Sequence, residues 1–218
     1  MIDDVALVVI SCDKYSAAWP VFAYGLQKYW TDCPYKVYFV TGFKDAPIGK
    51  SIKIGVDMGW SNNVSLALDC IEEPIVLMMV EDYWLYEKVG TEAIEELVDL
   101  VRSGEADQIR LNRSAEAFEG EKLDVIPNTA FYIASLQPSI WRKEYFKNFI
   151  RPNENVWQFE QRGGERIVAN SHNYSTKKPL IPFWQANPIQ GGKWTDDAKR
   201  YAEREGITID TSINPCDI

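Results

Sequence analysis

The sequence predicts an α/β protein of three layers, in which helices cover both faces of a mostly parallel central sheet. Three observations support this fold class. The apolar runs VALVVI at 5–10 and IVLMMV at 75–80 are typical of strands that are buried on both faces. Segments with apolar residues at helical spacing separate the strands, which favours parallel pairing through helical crossovers. With 218 residues, the chain is long enough for one large domain.

The first half of the chain alternates strands and helices. Gly42 closes the second strand, and Ser61 or Asn62 supplies the N-cap of a helix that ends before Pro74. Thr91 is the predicted N-cap of the following helix, because acidic residues occupy its first turn. Predicted strands cover 5–10, 35–42, 51–57, 75–80 and 107–112, and predicted helices cover 16–30, 61–71 and 91–103.

The second half of the chain is less regular. A strand-like segment at 128–141 is interrupted by proline, and short helices are predicted at 142–150 and from Asn153 onward. A segment rich in proline and glycine, 179–194, precedes a last helix at 195–206. We see no repeat, no low-complexity linker and no clean domain boundary, so the sequence predicts a single domain.

The charge and cysteine pattern limit the function classes. The formal net charge of −9 argues against a protein that coats nucleic acid or an anionic membrane. The charge is uneven, because residues 141–178 hold eight basic and four acidic side chains. This segment is either a solvated surface or a face for an anionic partner. Widely spaced cysteines, an acidic N-terminus and the lack of an apolar run of about 18 residues predict a cytoplasmic protein without disulfides, signal peptide or membrane span.

Several common catalytic motifs are absent. The sequence has no G-x-x-x-x-G-K-[ST] phosphate loop, no G-x-G-x-x-G after the first strand and no G-x-S-x-G elbow. His172 is the only histidine, which argues against schemes that need a placed imidazole. The candidate site is therefore at the ends of the predicted strands, since ligands of parallel sheets bind beyond the carboxyl ends of the strands.

Two adjacent acidic residues, Glu81 and Asp82, directly follow the strand at 75–80. One interpretation is that the strand reaches the surface there and the acids meet water. The other is that their oxygens hold Mg²⁺ or Mn²⁺, which neutralises a diphosphate leaving group. Adjacent residues of a strand point to opposite faces, so we favour Asp82 as the ligand and Glu81 as its assistant.

The order of several short motifs is similar to that of one enzyme family. SCDKY at 11–15, KYW-DCPY, VYFVTG, W-N----AL and EDYW together resemble nucleotide-sugar-dependent glycosyltransferases of the GT-A fold. More narrowly, they resemble small glycosyltransferase-like proteins of bacterial and phage gene clusters, over about residues 5–195. The resemblance implies a GT-A-like (Rossmann-like) domain over 1–218. Its nucleotide-sugar half is 1–112, and 113–218 forms an irregular acceptor half with a C-terminal tail.

The resemblance also implies roles for individual residues. It puts Ser11, Asp13 and Tyr15 near the nucleoside, and the helix start at Asn62 and Asn63 near the nucleotide sugar, with a UDP-sugar favoured. The acidic pair corresponds to the D-x-D metal motif of the family, with His172 as a further metal candidate and Lys193 as a diphosphate candidate. The sequence reads Glu-Asp-Tyr and lacks the second spaced aspartate, which leaves dependence on Mn²⁺ or Mg²⁺ open.

On the acceptor side, an inverting transferase needs a general base. Residues 154–164 match the region that supplies it in the family, and of Glu154 and Glu160 we favour Glu160, with Trp157 three residues earlier as a platform for a sugar or a base. Catalysis is then assigned to Glu160 and Asp82. The acceptor is a glycan, a lipid-linked sugar or a protein.

Two further alternatives stay open. The basic segment, through Arg142 and Arg151, also allows hydroxymethylated bases of phage DNA as acceptor, in the host cytoplasm. The incomplete acid motif allows a sugar- or nucleotide-binding module without turnover. A nucleotidyltransferase is disfavoured, because SCDKYSAAW lacks the Gly- and Lys/Arg-rich signature that such an enzyme carries after its first strand.

Overall fold

A computed structural model describes residues 2–167, 170–185 and 187–211 of the chain. Within these ranges, strands and helices alternate up to α3 and become shorter afterwards. The strands are β1 (Val5–Ile10), β2 (Lys36–Thr41), β3 (Lys50–Lys53), β4 (Ile75–Val80), β5 (Tyr83–Leu85), β6 (Gln108–Arg110), β7 (Asp124–Val125), β8 (Ser139–Arg142), β9 (Asn173–Ser175), β10 (Phe183–Gln185), β11 (Ile189–Gln190) and β12 (Lys193–Trp194). The α-helices are α1 (Trp19–Tyr29), α2 (Trp60–Asp69), α3 (Thr91–Arg102), α4 (Lys143–Lys147), α5 (Val156–Arg162) and α6 (Asp196–Glu205), and 3-10 helices cover Asp13–Ala18 and Gly163–Arg166.

The central sheet contains eight strands of the described part of the chain, in the order β3-β2-β1-β4-β8-β6-β9-β7. Strands β3, β2, β1 and β4 pair in parallel. Strand β8 is antiparallel to both β4 and β6, so β6 runs in the direction of β4, and β9 is parallel to β6. The predicted mostly parallel α/β sheet is confirmed. The ends of β1, β4, β6 and β9 therefore share one edge of the sheet, which we call the carboxyl edge.

Both faces of the sheet are covered by apolar packing, which gives the three predicted layers. In β1, Val5, Leu7 and Val9 belong to one core, to which α1, α3 and α6 contribute buried residues. The alternate residues Ala6 and Val8 belong to a second core with residues of α2, α4 and α5. Side chains of a strand alternate between the two faces, so a continuous apolar run is what a doubly covered strand requires.

Local details of several elements differ from the sequence expectations. The predicted helix at 16–30 is a 3-10 helix followed by α1, and α2 begins at Trp60 after Gly59. Gly59 has a φ of 90°, a left-handed backbone that only glycine adopts readily. Gly90, and not Thr91, is the residue at the N-cap of α3.

The predicted strand at 128–141 is the largest difference from the sequence expectations. Only its end becomes a strand, β8, and residues 127–138 form turns and bends. No helix in the described ranges is both long and apolar enough to cross a bilayer.

Candidate functional site

A cleft of about 450 Å³ opens at the carboxyl edge, where β1 and β4 end. Ile10 and Val80, the last residues of these strands, are register partners, so the chain segments that follow them start side by side. Ser11 and Cys12 line the cleft after β1, and Glu81, Asp82 and Tyr83 line it after β4. The parallel pairing thus brings two distant parts of the sequence to one site, as the sequence analysis expected.

Glu81 and Asp82 both line the cleft. A regular strand would present only one of them to the cleft, but residues 81–82 form a turn after β4. One carboxylate oxygen of Asp82, Oδ1, is buried and receives no hydrogen bond from the described residues. Burial raises the pKa of Asp82. Burial and the Asp82 charge, in that order, raise the pKa of Glu81. Both carboxyls therefore hold their protons more readily than free carboxyls do, and a nearby cation would favour their charged forms.

The donor set of this pair fits a divalent cation. Magnesium and manganese prefer oxygen ligands, and Mg²⁺ is typically held by one or two carboxylates together with substrate phosphates and water. In the described ranges, no group of three or more His, Cys, Asp or Glu side chains is placed to hold a metal. Asp82 and Glu81 would thus supply the protein ligands, and the unpartnered Oδ1 of Asp82 is the available atom.

The start of α2 forms a second wall of the cleft. Trp60, Asn63 and Asp57 line it. The Asn63 side chain is fixed in place, because its Oδ1 accepts from Met58 N at 3.1 Å and its Nδ2 donates to Asp57 Oδ1 at 2.6 Å. The positive end of the dipole of α2 consequently lies beside the cleft, which suits an anion, although the Ser61 N–H at this end already donates to Glu154 O at 3.2 Å.

Helix α5 supplies the third wall with Trp157 and Glu160. A capping box at Asn155 starts the helix: its side chain accepts from Gln158 N, and the Gln158 side chain accepts from Asn155 N. Leu136 N donates to Glu160 Oε1 at 2.8 Å. This hydrogen bond fixes the carboxylate to the chain segment formed by residues 132–137. Trp157 is 66% exposed, a large fraction for this side chain.

Glu154, the other candidate base, lies elsewhere. Its carboxylate is buried and paired with the guanidinium of Arg166, one contact being 2.7 Å between Nη1 and Oε2. The backbone of Glu154 also binds Ser61, which connects the start of α5 to α2. Glu154 is therefore a link between helices, and Glu160 is the carboxylate of this region that reaches the cleft.

Strand β6 and the residues that follow it, up to Asn112, hold the 132–137 segment by hydrogen bonds. Residues 108, 110 and 112 lie on one face of the strand because side chains alternate, and each donates a hydrogen bond to this segment. The contacts are Gln108 Nε2 to Ile133 O at 3.1 Å, Arg110 Nη2 to Tyr132 O at 2.5 Å and Asn112 Nδ2 to Gln137 Oε1 at 2.5 Å.

Arg110 is a buried cation behind the cleft, with 5% exposure and a buried Nε that has no partner among the described residues. Burial lowers the pKa of Arg110 to about 10, and the charges of Glu160 and Glu116 act in the opposite direction. The guanidinium donates to the segment that also fixes Glu160 through Leu136 N. Sequence reasoning missed Arg110, and the available signal was a charged residue inside the predicted strand 107–112.

Of the predicted nucleotide-sugar residues, Ser11, Tyr15 and Asn63 line the cleft. Asp13 lies beside it: its carboxylate accepts from Gly42 N at 2.8 Å and Phe43 N at 2.7 Å, which holds the turn after β2. The remaining two predicted residues also do not line the cleft. They are Asn62, which binds Asn153 and Met58 O, and Lys193, which is exposed on the hairpin of β11 and β12.

Other predicted residues lie at the opposite edge of the sheet or on its surface. His172 precedes β9, and its backbone N donates to Asp107 Oδ2 at 2.8 Å. Arg142, which pairs with Ile75 at the start of β4, forms an ion pair with the same Asp107. Arg151 donates to the carbonyl oxygens of Asn148 and Ile150. The structure therefore does not bring His172, Arg142 or Arg151 to the acidic pair.

The fold and the position of this cleft define the class of protein that the chain resembles. No family model matches the chain, and no curated protein matches its sequence. The solved structures with a similar fold include GT-A-type glycosyltransferases, which confirms the fold that the motifs indicated.

Two solved proteins illustrate the likeness. A mannosyltransferase, PcManGT from Pyrobaculum calidifontis, in complex with GDP-Man and Mn²⁺, has a TM-score of 0.57 at 13% identity, over 86% of this chain and 58% of that one. TarS of S. aureus has a TM-score of 0.51 at 13% identity, over 80% of this chain and 36% of that one. TarS 1–349 in complex with UDP also scores 0.51, over 79% of this chain and 60% of that one. The matched part is thus less than two thirds of these proteins, and the likeness shows the fold.

Proposed function

We propose that this chain is a glycosyltransferase that moves a sugar from a nucleoside-diphosphate sugar to a hydroxyl group of an acceptor. One observation carries the proposal: a single cleft joins the strand-end acids Glu81 and Asp82 to Glu160 and Trp157 of the second half. The strand-end acids would serve the sugar donor. Glu160 and Trp157 would serve the acceptor, whose hydroxyl group has to lose a proton. The GT-A fold is consistent with this division of one cleft between two substrates.

The donor occupies the side of the cleft between β1 and α2. Ser11 and Tyr15 are positioned for the nucleoside, and Asn63 with the N–H groups of α2 for the diphosphate. Asp13 acts indirectly, by holding the turn after β2. The solved neighbours were captured with UDP and with GDP-Man, and these two donor classes come first in any test.

A divalent cation belongs to this proposal for an electrostatic reason. The described lining of the cleft contains acidic side chains and no Lys, Arg or His to receive a diphosphate. When bound by Asp82 and Glu81, Mn²⁺ or Mg²⁺ supplies the positive charge that stabilises the leaving diphosphate. The unpartnered Asp82 oxygen and the raised pKa values of both acids support this placement.

In the transfer step, Glu160 is the proposed general base. Its Oε1 is held by Leu136 N, so the carboxylate keeps one orientation while its other oxygen accepts the acceptor hydroxyl proton. The acceptor oxygen forms a bond to the anomeric carbon as the bond from that carbon to the diphosphate oxygen breaks. The electron pair of the broken bond leaves with the diphosphate.

A thermal-shift panel tests the proposal. UDP-, GDP-, CMP- and TDP-sugars are added to the wild type with and without Mn²⁺. A donor at 100 times its Kd stabilises the folded state by about 2.7 kcal/mol. We expect one donor to stabilise the protein in a Mn²⁺-dependent way, and Asp82→Asn to lose that shift.

Glu87→Gln is the matched control for this panel, because Glu87 is exposed and does not line the cleft. If no donor in the panel binds under either condition, the glycosyltransferase proposal is wrong. A donor that binds and is neither hydrolysed nor transferred indicates a binding module instead.

A further inference from the structure

The cleft is lined by one sign of charge. Among the described lining residues, four are acidic and none is basic. The residues outside the described ranges contain no lysine, arginine or histidine, so no basic side chain of the sequence escapes this count. The four acids are Asp57, Glu81, Asp82 and Glu160.

The basic side chains of segment 141–178, which suggested an anionic partner, are mostly paired with other groups of this chain. Seven of its eight basic side chains bind carboxylates or carbonyl oxygens of this chain, and none of the eight lines the cleft. The pairs are Arg142 with Asp107, Lys143 with Ile71 O, Lys147 with Asp69, Arg151 with Asn148 O, Arg162 and Arg166 with Glu154, and Lys177 with Gly120 O.

The acceptor side of the cleft is apolar around its one carboxylate. Leu136, Val156 and Trp157 surround Glu160 there, and Trp157 presents an exposed indole. Arg110 is the cation behind Glu160, but it is 5% exposed, donates to Tyr132 O and does not line the cleft. A phosphate placed here would find like charge and no donor cation, and burying an unpaired charge is costly.

We propose that the acceptor is an uncharged sugar, whose ring packs on Trp157 while one hydroxyl meets Glu160. Sugar phosphates and nucleic acid are excluded as acceptors. This inference rests on the proposed glycosyl transfer and limits its acceptor to uncharged sugars. The flat apolar face of a pyranose ring suits the exposed indole, and a neutral hydroxyl brings no negative charge against the Glu160 carboxylate.

Matched acceptors test this inference. Methyl hexopyranosides and their 6-phosphates are compared as acceptors at equal concentration, with the donor and excess Mg²⁺ or Mn²⁺ from the thermal-shift panel. A DNA duplex with hydroxymethylated cytosines is the third acceptor. We expect at least one neutral glycoside to be used at least tenfold faster than its 6-phosphate, and the duplex to be inert. Preference for a 6-phosphate or for the duplex overturns the inference.

Binding provides a second readout. Saturation-transfer NMR on the protein loaded with the nucleoside diphosphate and the metal compares the same glycosides and 6-phosphates. We expect signal from a neutral glycoside, none from its 6-phosphate, and loss of that signal in Trp157→Ala. Phe118→Ala is the control, because Phe118 is 67% exposed and does not line the cleft.

Three results have distinct meanings. Binding of the 6-phosphates, or no binding of either member of any pair, overturns the uncharged-acceptor inference. Unchanged binding in Trp157→Ala overturns the role of the indole. Failure of every donor to bind or react refutes the proposed function itself, so the two failures are distinguishable.

Discussion

The two sides of the cleft, which we propose to bind the donor and the acceptor, are built by different kinds of contact. On the donor side, β1 and β4 pair over six residues, and Ser11 and Glu81 follow directly from paired strand ends. On the acceptor side, Glu160 is fixed by Leu136, which lies in a segment without helix or strand. That segment is held by individual side chains of Gln108, Arg110 and Asn112.

This difference has a consequence for how mutations act. The geometry of the donor side depends on backbone pairing and on the two apolar cores, to which many residues contribute. The geometry of the acceptor side depends on a few polar contacts, so single substitutions there are expected to change transfer without changing donor binding. The predictions below test this separation.

The largest effect is expected from Glu160→Gln. The amide keeps an oxygen that accepts from Leu136 N but is not a base, so kcat for transfer should fall by about 10²- to 10⁴-fold. The Kd for the donor should stay within about twofold, since Glu160 lies on the acceptor side. Steady-state transfer and calorimetric donor binding measure the two quantities.

Glu165→Gln is the control, because Glu165 is exposed and lies outside the cleft. Equal losses of transfer and of donor binding in Glu160→Gln would show that the two sides are not separable.

Arg110→Met tests the contacts behind the acceptor side. The substitution removes the donor to Tyr132 O, which lets the 132–137 segment and the Leu136 N–H move relative to Glu160. A misplacement of about 1 Å can cost up to about 10²-fold, so we expect a fall in kcat of roughly 10- to 100-fold with unchanged donor Kd. Arg110→Lys, which retains the charge, should recover part of the rate.

The control substitution is Arg113→Met. Arg113 is exposed on the same part of the chain, and its nearest carboxylate contact, with Asp124, is 3.9 Å. An unchanged kcat in Arg110→Met would mean that Arg110 has no positioning role.

Gly163→Ala tests the steric contact between the same segment and the end of α5. A Cβ on Gly163 would lie 2.2 Å from the Cβ of Ala134, although the φ of −57° suits alanine. The overpacking should lower the free energy of unfolding by about 1–3 kcal/mol. Gly90→Ala is the control, since nothing lies within 4 Å of a Cβ there, and it should cost less than about 1 kcal/mol, the price of losing a glycine at the N-cap of α3. Equal denaturation midpoints for the two variants would contradict the close contact.

The same contrast explains what the sequence could predict. Hydrophobic runs and strand ends follow periodicity, so the mostly parallel sheet and the acids after β4 were predictable from local patterns. Segment 128–141 has strand-like composition, but most of it forms turns held by side chains from β6. Those partners are more than 20 residues away in sequence, and no local pattern encodes such contacts.

The site residues show the same limit. Glu160 and Trp157 were expected from the resemblance to GT-A enzymes, with a spacing that puts them on one helix face, and both line the cleft. For Arg142 and Arg151, the sequence shows the charge of the side chain but not its partner. The fold shows that Arg142 pairs with Asp107 and that Arg151 donates to the carbonyl oxygen of Asn148. Composition indicated a basic surface, whereas intramolecular pairing determines which charges are available.

The smallest expected effect is a pH-dependent change in stability, which comes from Glu81 and Asp82 in the metal-free protein. Burial raises the pKa of Glu81 and of Asp82, so the folded state binds their protons more tightly than the unfolded chain does. Stability from these groups is then fully present below the ordinary carboxyl pKa of about 4 and is lost as pH rises through the raised values. Carboxyls with lowered pKa, such as Glu73 and Glu205, act in the opposite direction.

The comparison of wild type with Asp82→Asn separates these contributions. Asp82→Asn removes one raised carboxyl and its repulsion of Glu81, while Glu73 and Glu205 are the same in both proteins. With EDTA present, the stability of the variant relative to wild type should therefore increase by about 1 kcal/mol from pH 5 to pH 8. Denaturant titrations at several pH values measure this difference, and Glu87→Gln should show none. A difference that is constant with pH would mean that the two acids are well hydrated, and the raised pKa values would then no longer support a cation at this place.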